Sequence, residues 1–498
     1  MSLQELYLAL LAGGAVLLVS VVATLAASRV GLPSLLLFLG LGVLLGEDVL
    51  GVDFNDAQLA QDLGTAALAV ILIEGGLTTR WEDVRSALTP AALLGTVGVG
   101  VSTLVTAAGA HLLFGFTWQV ALLLGATVSS TDAAAVFSIL RVLPLPKRVA
   151  GLLEAESGVN DAPTVVLVLI FSVTPFHVSG WSLAGHLSYE LVAGAAIGLV
   201  LGRLGALALP RLALPASGLY PLVTFGLGIV AFAAAGSAQA SGFLAAYLAA
   251  LVLANSGLPH RAATRSFAEG LGWLAQIGLF VLLGLLVTPH KLGSAVLPAL
   301  GVGLVLLLAA RPLAVALCLL PFRFPVREQV FLSWAGLRGA VPIVLATFAV
   351  VRGVPDSDHL LNVVFVLVVI FTLVQGPSLY PLARWLQISP RESTRELMVE
   401  AAPLDVLDAE LITMTIPPAS RLHSTSILEL QLPAPSVVTL VIRDGKTFVP
   451  SRDTQLRTGD ELLIVTTRTG RNRTERRLRA VSRAGPLAHW FNEYGDQA

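Results

Sequence analysis

Apolar residues fill the first 388 positions of this chain in long windows, and most charged residues fall between them. Windows of roughly the ~20 residues that a bilayer-spanning helix needs lie near 6–27, 31–46, 59–77, 90–114, 118–141, 149–174, 187–208, 219–235, 238–254, 270–287, 294–320, 328–351 and 362–386. They predict about 13 transmembrane helices, an odd number that puts the termini on opposite sides. The first window has Glu5 before it and Arg29 after it, so it is read as a retained helix, because a signal peptide begins with basic residues.

Lysine and arginine set the expected orientation. With the N-terminus outside, the inside loops hold Arg29, Arg80, Arg85, Arg141, Lys147, Arg148, Arg203, Arg211, Arg261, Arg265, Arg323 and Arg327. The outside loops then hold Lys291 and Arg352, together with the acids Glu47, Asp48, Asp53 and Asp56. Everything after Trp385 is expected in the cytoplasm.

The pattern changes near Ser389. Residues 390–498 carry 14 of the 31 basic and 14 of the 32 acidic residues, which marks a soluble domain. β-Branched alternation predicts strands over Glu410–Ile416 and Val437–Ile442, with an Asp444-Gly445 hairpin turn into Thr447–Val449. Thr458-Gly459-Asp460 turns the chain into a strand over Glu461–Thr466, and Arg473–Arg483 reads as a basic helix. The expected organisation is a transmembrane domain over 1–388, a linker over 389–402, a small α+β domain over 403–484 and a tail over 485–498. A core that small suggests pairing with a second copy.

Composition sharpens the class. At 55% hydrophobic and 13% charged residues, the chain is far more apolar than a soluble protein, whose charged share is about 25%. A net charge of −1 gives no reason to expect a nucleic-acid partner. The single cysteine, Cys318, excludes an internal disulfide and reads as a small buried hydrophobe.

Three windows break the apolar rule. The fifth carries Thr127, Ser129, Ser130, Thr131 and Asp132; the sixth carries Glu154, Glu156, Ser157, Asn160 and Asp161; the twelfth carries Arg338 between Gly336, Gly339 and Pro342. A carboxylate at mid-bilayer costs at least ~2.5 kcal/mol, so such residues usually line an ion or proton path. Ser157 and Asp161 share one helix face at i, i+4, as do Glu156 and Asn160. Pro163 offers no N–H to the Val159 carbonyl, which frees that carbonyl for a cation or a donor.

A hard monovalent cation wants oxygen ligands, and Asp132, Thr131, Ser157 and Asp161 supply them. Asn160 either supports the ligands or joins helices. Arg338 stays protonated and needs an anion, for which Glu156 or Glu154 is available, and the Glu156–Arg338 pair is read as structural. An isolated buried carboxylate holds a proton or a metal ion, so competition at Asp161 is itself an exchange mechanism, about one cation per proton. Spans 5 and 12 cross in opposite directions, so spans 1–6 and 8–13 are expected to be inverted repeats around a midplane site.

Glu156-Ser-Gly-Val-Asn-Asp161, Ser129-Ser-Thr-Asp-Ala-Ala-Ala-Val-Phe-Ser138 and Trp334-Ala-Gly-Leu-Arg-Gly-Ala-Val-Pro-Ile343 resemble the signatures of the monovalent cation:proton antiporter-1 family, the NhaP group. The resemblance covers roughly residues 1–386. It implies a homodimer in the inner membrane of a prokaryote, with spans 5 and 12 unwound and crossing. It also implies that Asp161 is the exchange carboxylate, that Thr131, Asp132 and Ser157 help to ligate the ion, and that Glu156 pairs with Arg338. Ala133, where many sodium/proton members have proline, is similar to the potassium/proton branch; sodium stays as the alternative. Residues 403–484 resemble the TrkA-C domain, which implies regulation by a nucleotide or cyclic dinucleotide; no other cofactor is expected.

Other readings compete for some residues. A cation channel would need carbonyl rings or repeated Gly-rich loops, and none repeats here. An intramembrane aspartyl protease built on Asp132 and Asp161 would have no use for Arg338, and its Gly-x-Gly-Asp signature is missing. Glu74 reads as a solvated helix-end acid, Arg311 as snorkelling toward the cytoplasmic face, and His111, His177 and His290 as surface residues. The run Arg471–Arg483 reads as a solvated face, with contact to anionic lipid or a nucleotide phosphate as its sharper alternative.

Overall fold

The computed structural model describes residues 3–30, 34–52, 54–132, 145–173, 180–212, 214–388, 399–404, 409–418, 420–467, 469–491 and 493–494. The chain divides into two compact units, Met1–Ser389 and Pro390–Ala498. Outside the described residues fall the second half of the predicted fifth span, with Ala133 and Arg141, as well as His177 and most of the predicted linker.

The described residues of the first unit are mostly helical. Its helices are α1 (Leu3–Val30), α2 (Ser34–Leu45), α3 (Ala57–Thr78), α4 (Leu88–Phe114), α5 (Trp118–Ser129), α6 (Lys147–Val159) and α7 (Asp161–Phe171). They continue with α8 (Gly180–Ala208), α9 (Leu219–Ser237), α10 (Gly242–Ala254), α11 (Arg261–Leu285), α12 (Pro289–Phe322), α13 (Val326–Trp334), α14 (Ala340–Val351) and α15 (Ser357–Trp385). Among the described residues, each predicted window holds one helix or, in the sixth and twelfth, a pair.

Among the described residues, eight helices are long and apolar enough to cross a membrane by themselves. The fifth, sixth and twelfth windows, which carry Asp132, Asp161 and Arg338, are built from shorter pieces, and α2 and α10 are short as well. At 1.5 Å per residue, the 12-residue α5 and α14 each reach about 18 Å, short of a ~30 Å hydrocarbon layer. Their breaks therefore fall inside the protein, where irregular backbone is tolerated when other protein groups satisfy it. The lipid-facing helices differ in kind: α1 shows Tyr7, Leu11, Leu18 and Val22 outward.

Close helix packing rests on small residues. Where α2 crosses α11, a Cβ on Gly42 would stand 2.1 Å from the Val281 carbonyl oxygen, and one on Gly284 would stand 2.2 Å from that of Leu39. Only glycine permits that approach. Glu74 is not the solvated helix end expected of it: it is buried on α3, with its Cγ 2.9 Å from where Gly272 of α11 would carry a Cβ.

The second unit is a five-stranded antiparallel sheet in the order β1-β2-β5-β3-β4, with β1 (Val399–Leu404), β2 (Ala409–Thr415), β3 (Val437–Arg443), β4 (Lys446–Phe448) and β5 (Glu461–Thr467). The helix α16 (Arg471–Ala484) follows β5. Ile412, Met414, Leu462 and Ile464 alternate into a core that Leu478 and Val481 of α16 complete. Asp444 and Gly445 take φ of 50° and 74°, the left-handed pair that a tight hairpin requires. The expected linker is shorter than the sequence predicts: Val399–Ala402, within it, pair with Leu411–Met414 as part of the edge strand β1. Its sequence, Val-Glu-Ala-Ala-Pro-Leu, lacks the alternation that marks a strand.

Candidate cation and proton site

The site forms where two broken segments cross beside a third. The helix α5 ends at Ser129, and Ser130 is extended with φ −66° and ψ 141°. Between α13 and α14 the chain leaves helical geometry over 335–339. The two stretches are joined through their backbones, since the Asp132 N–H donates to the Leu337 carbonyl at 3.0 Å.

Charges of opposite sign complete the crossing. Asp132 Oδ2 accepts from the Ala340 N–H at 2.8 Å, so the carboxylate caps the positive N-terminal end of α14. Arg338 Nη1 donates to the carbonyls of Ser130 at 2.8 Å and Ser129 at 3.2 Å, at the negative C-terminal end of α5. Thr372 of α15 donates to the Arg338 carbonyl at 2.6 Å. A Cβ on Gly339 would lie 1.7 Å from Asp132 Oδ2, so the crossing needs glycine there.

The third segment is the α6–α7 pair, interrupted at Asn160. Pro163 cannot donate to the Val159 carbonyl, and the helix breaks one residue after it. Asn160 stays tied by its own N–H to the Glu156 carbonyl at 2.9 Å, while its carbonyl accepts from Thr164 Oγ1 at 2.7 Å.

Side chains from the first and third segments meet here. Ser130 Oγ donates to Asp161 Oδ1 at 2.5 Å, Asn160 Nδ2 donates to Thr131 Oγ1 at 2.5 Å, and Thr131 Oγ1 and Ser157 Oγ stand 3.1 Å apart. Ser130, Thr131, Asp132, Ser157, Asn160 and Asp161 are each at most 3% exposed. Asn160 Oδ1 is buried with no hydrogen-bond partner among the described residues. An orphan acceptor beside two hydroxyls and a carboxylate is a donor set suited to a hard cation.

The structure corrects the predicted ion pair. Glu156 pairs with Arg311 of α12, whose Nη1 donates to Oε1 and whose Nη2 donates to Oε2 at 2.8 Å. Arg338 is bonded to the carbonyl end of α5 and not to Glu156, and its Nε is buried with no hydrogen-bond partner among the described residues. Arg311, at 4% exposed, does not snorkel. Glu154 also goes elsewhere, accepting from the Thr79 hydroxyl.

Arg311 and Ser130 are the residues whose roles the sequence reading missed. A signal for Arg311 was present: it lies twelve residues before Arg323, about 18 Å along a helix, too far for a side chain to reach the interface. Ser130 is one of five polar residues over 127–132, and nothing in the sequence distinguishes it.

A helical bundle with crossed, interrupted segments around a buried carboxylate–hydroxyl cluster defines a secondary transporter of cations and protons. Residues 16–385 match the sodium/hydrogen exchanger, transmembrane family, and residues 411–479 match the TrkA-C domain. The chain belongs to the sodium/hydrogen exchanger family. It is a multi-pass membrane transporter, not an enzyme.

Relatives agree over nearly the whole length. The K(+)/H(+) antiporter NhaP of Alkalimonas amylolytica is 40% identical over 473 residues, which cover 93% of this chain and 82% of that protein. The K(+)/H(+) antiporter NhaP2 of Shewanella oneidensis is 36% identical over 463 residues, covering 91% and 80%. Among solved structures, the sodium proton antiporter MjNhaP1 from Methanocaldococcus jannaschii superposes with a TM-score of 0.65 at 20% identity, covering 77% of this chain and 99% of that one, which shows the shared fold.

Proposed function

We propose that this protein exchanges potassium for protons by alternating access, the two ions competing for Asp161. The observation that carries this reading is a carboxylate buried inside the bundle with a serine hydroxyl as its partner and, among the described residues, no ion pair. Such a group discharges by taking a proton or a cation, and each excludes the other. Thr131, Ser157 and Asn160 supply further oxygens, and Asp132 holds the crossing that presents them. Potassium is favoured by the printed activities of the 40% and 36% identical relatives and by Ala133. Sodium is the second reading, favoured by the shared fold.

The same reading includes a homodimer in the inner membrane of a prokaryote, bounded by lipid, with the N-terminus outside and the C-terminal domain in the cytoplasm. The lysine and arginine bias supports that orientation. The C-terminal domain acts as a regulator with a nucleotide or cyclic dinucleotide as effector. The test uses purified protein in liposomes holding a pH-sensitive dye under an imposed proton gradient, with potassium, sodium and lithium added separately. Dequenching by potassium in wild type and by no ion in Asp161→Asn is the expected result. Exchange that survives in Asp161→Asn removes the mechanism, and dequenching by sodium alone replaces potassium as substrate.

A further inference from the structure

The C-terminal unit carries an arginine that its own sheet and helix do not neutralise. Arg477 on α16 is 7% exposed. Its Nε donates to the Leu430 carbonyl at 2.9 Å and its Nη2 to the Pro486 carbonyl at 3.1 Å, while Nη1 is buried with no partner among the described residues. Burial alone pulls its pKa below that of a free guanidinium, with no carboxylate pulling it back. Guanidinium nevertheless keeps its proton at any biological pH, so a full positive charge sits there without an acidic partner among the described residues.

Nearby acids are committed elsewhere. Glu475 pairs with Arg471 at 2.9 Å and Arg479 at 3.7 Å, Glu493 pairs with Arg483 at 3.7 Å, and Glu429 accepts from the Ser426 N–H at 2.7 Å. Arg477 faces a pocket of about 310 Å³ lined also by Gln431, Arg473, Arg476, His489 and Tyr494. Arg473 and, one turn further along α16, the adjacent Arg476 and Arg477 thus line it from one helix. From the other, the imidazole of His489 and the ring of Tyr494, 5.5 Å apart, form an aromatic wall. The volume lies at the small end of the ~300–1,000 Å³ typical of small-molecule sites.

We propose that this pocket binds a phosphate group, held by Arg473, Arg476 and Arg477, with the ester substituent against His489 and Tyr494. Guanidinium forks match phosphate oxygens in geometry as well as charge. A small phosphate monoester and an anionic lipid headgroup share this chemistry. The site rests on the regulatory reading only for its effect on transport, so binding is measured separately from exchange.

The test is hydrogen–deuterium exchange on the full chain in nanodiscs, followed over 471–494. One arm adds AMP to phosphatidylcholine nanodiscs, and the other replaces part of the phosphatidylcholine with phosphatidylglycerol and adds no soluble phosphate. Protection in the first arm assigns a free phosphate ester, and protection confined to the second assigns a headgroup. In Arg473→Gln/Arg476→Gln, both exposed positions, the half-saturating concentration should rise about tenfold or more. Unchanged exchange over 461–467 would show that the sheet stays folded in that variant, which carries the test even if Arg477→Gln loosens the domain. No saturable protection in either arm, or protection undiminished in the double variant, overturns the proposal.

Discussion

Glu156 and Arg311 show what a single buried charge requires. Each is almost fully buried, and each finds its neutralising partner on another helix. Removing one member leaves the other uncompensated, which costs about 3–5 kcal/mol, whereas exchanging both for apolar residues of similar size costs far less. Arg311→Met should therefore lower the thermal unfolding midpoint in detergent strongly, and adding Glu156→Leu should recover much of the loss. In a double-mutant cycle, Glu156 should couple more strongly to Arg311, its direct partner, than to Arg338. Equal coupling to both arginines would contradict the Glu156–Arg311 pairing. The chain alone announced that Glu156 and Arg338 needed neutralising groups, because desolvation is a property of the residue; it could not say which groups, since three charged side chains allow several pairings.

At the scale of elements, the crossing of the segments after α5 and before α14 is held by backbone and by two caps. Gly336, Gly339 and Pro342 made the second break visible in sequence. The first has no glycine or proline beside Asp132, and its cause lies in the other chain segment. The Asp132 N–H gains the Leu337 carbonyl, and Arg338 satisfies the carbonyls that unwinding exposes. Gly339→Ala forces a Cβ into the Asp132 carboxylate, so the loss should reach or exceed the ~1–3 kcal/mol usual for overpacking, with exchange abolished. Gly40→Ala, which meets nothing within 4 Å, should leave stability and exchange at wild-type level. Circular dichroism melts and the liposome assay read both variants, and an active Gly339→Ala would show that the crossing can spread.

The whole molecule comprises two units with separate hydrophobic cores. Removal of residues 403–498 should leave the transmembrane unit inserted and exchanging, with a changed dependence of rate on pH and cation concentration. Complete loss of exchange in a folded, inserted truncation would argue against a purely modulatory tail. The boundary between the units was legible from charge density, although the edge strand Val399–Leu404 escaped notice because pairing, not its own pattern, makes it a strand.

Thirteen apolar windows, the three that break the rule, and the acids, hydroxyls and amide within them were determined by the sequence. Burial cost and helix length act on each segment by itself and leave their mark in local composition. Tertiary structure alone decided that Ser130 meets Asp161, that Arg311 answers Glu156, and that Asp132 and Arg338 serve as caps. Each of those choices depends on which segments lie within hydrogen-bond reach, and that distance is set by how the whole bundle packs.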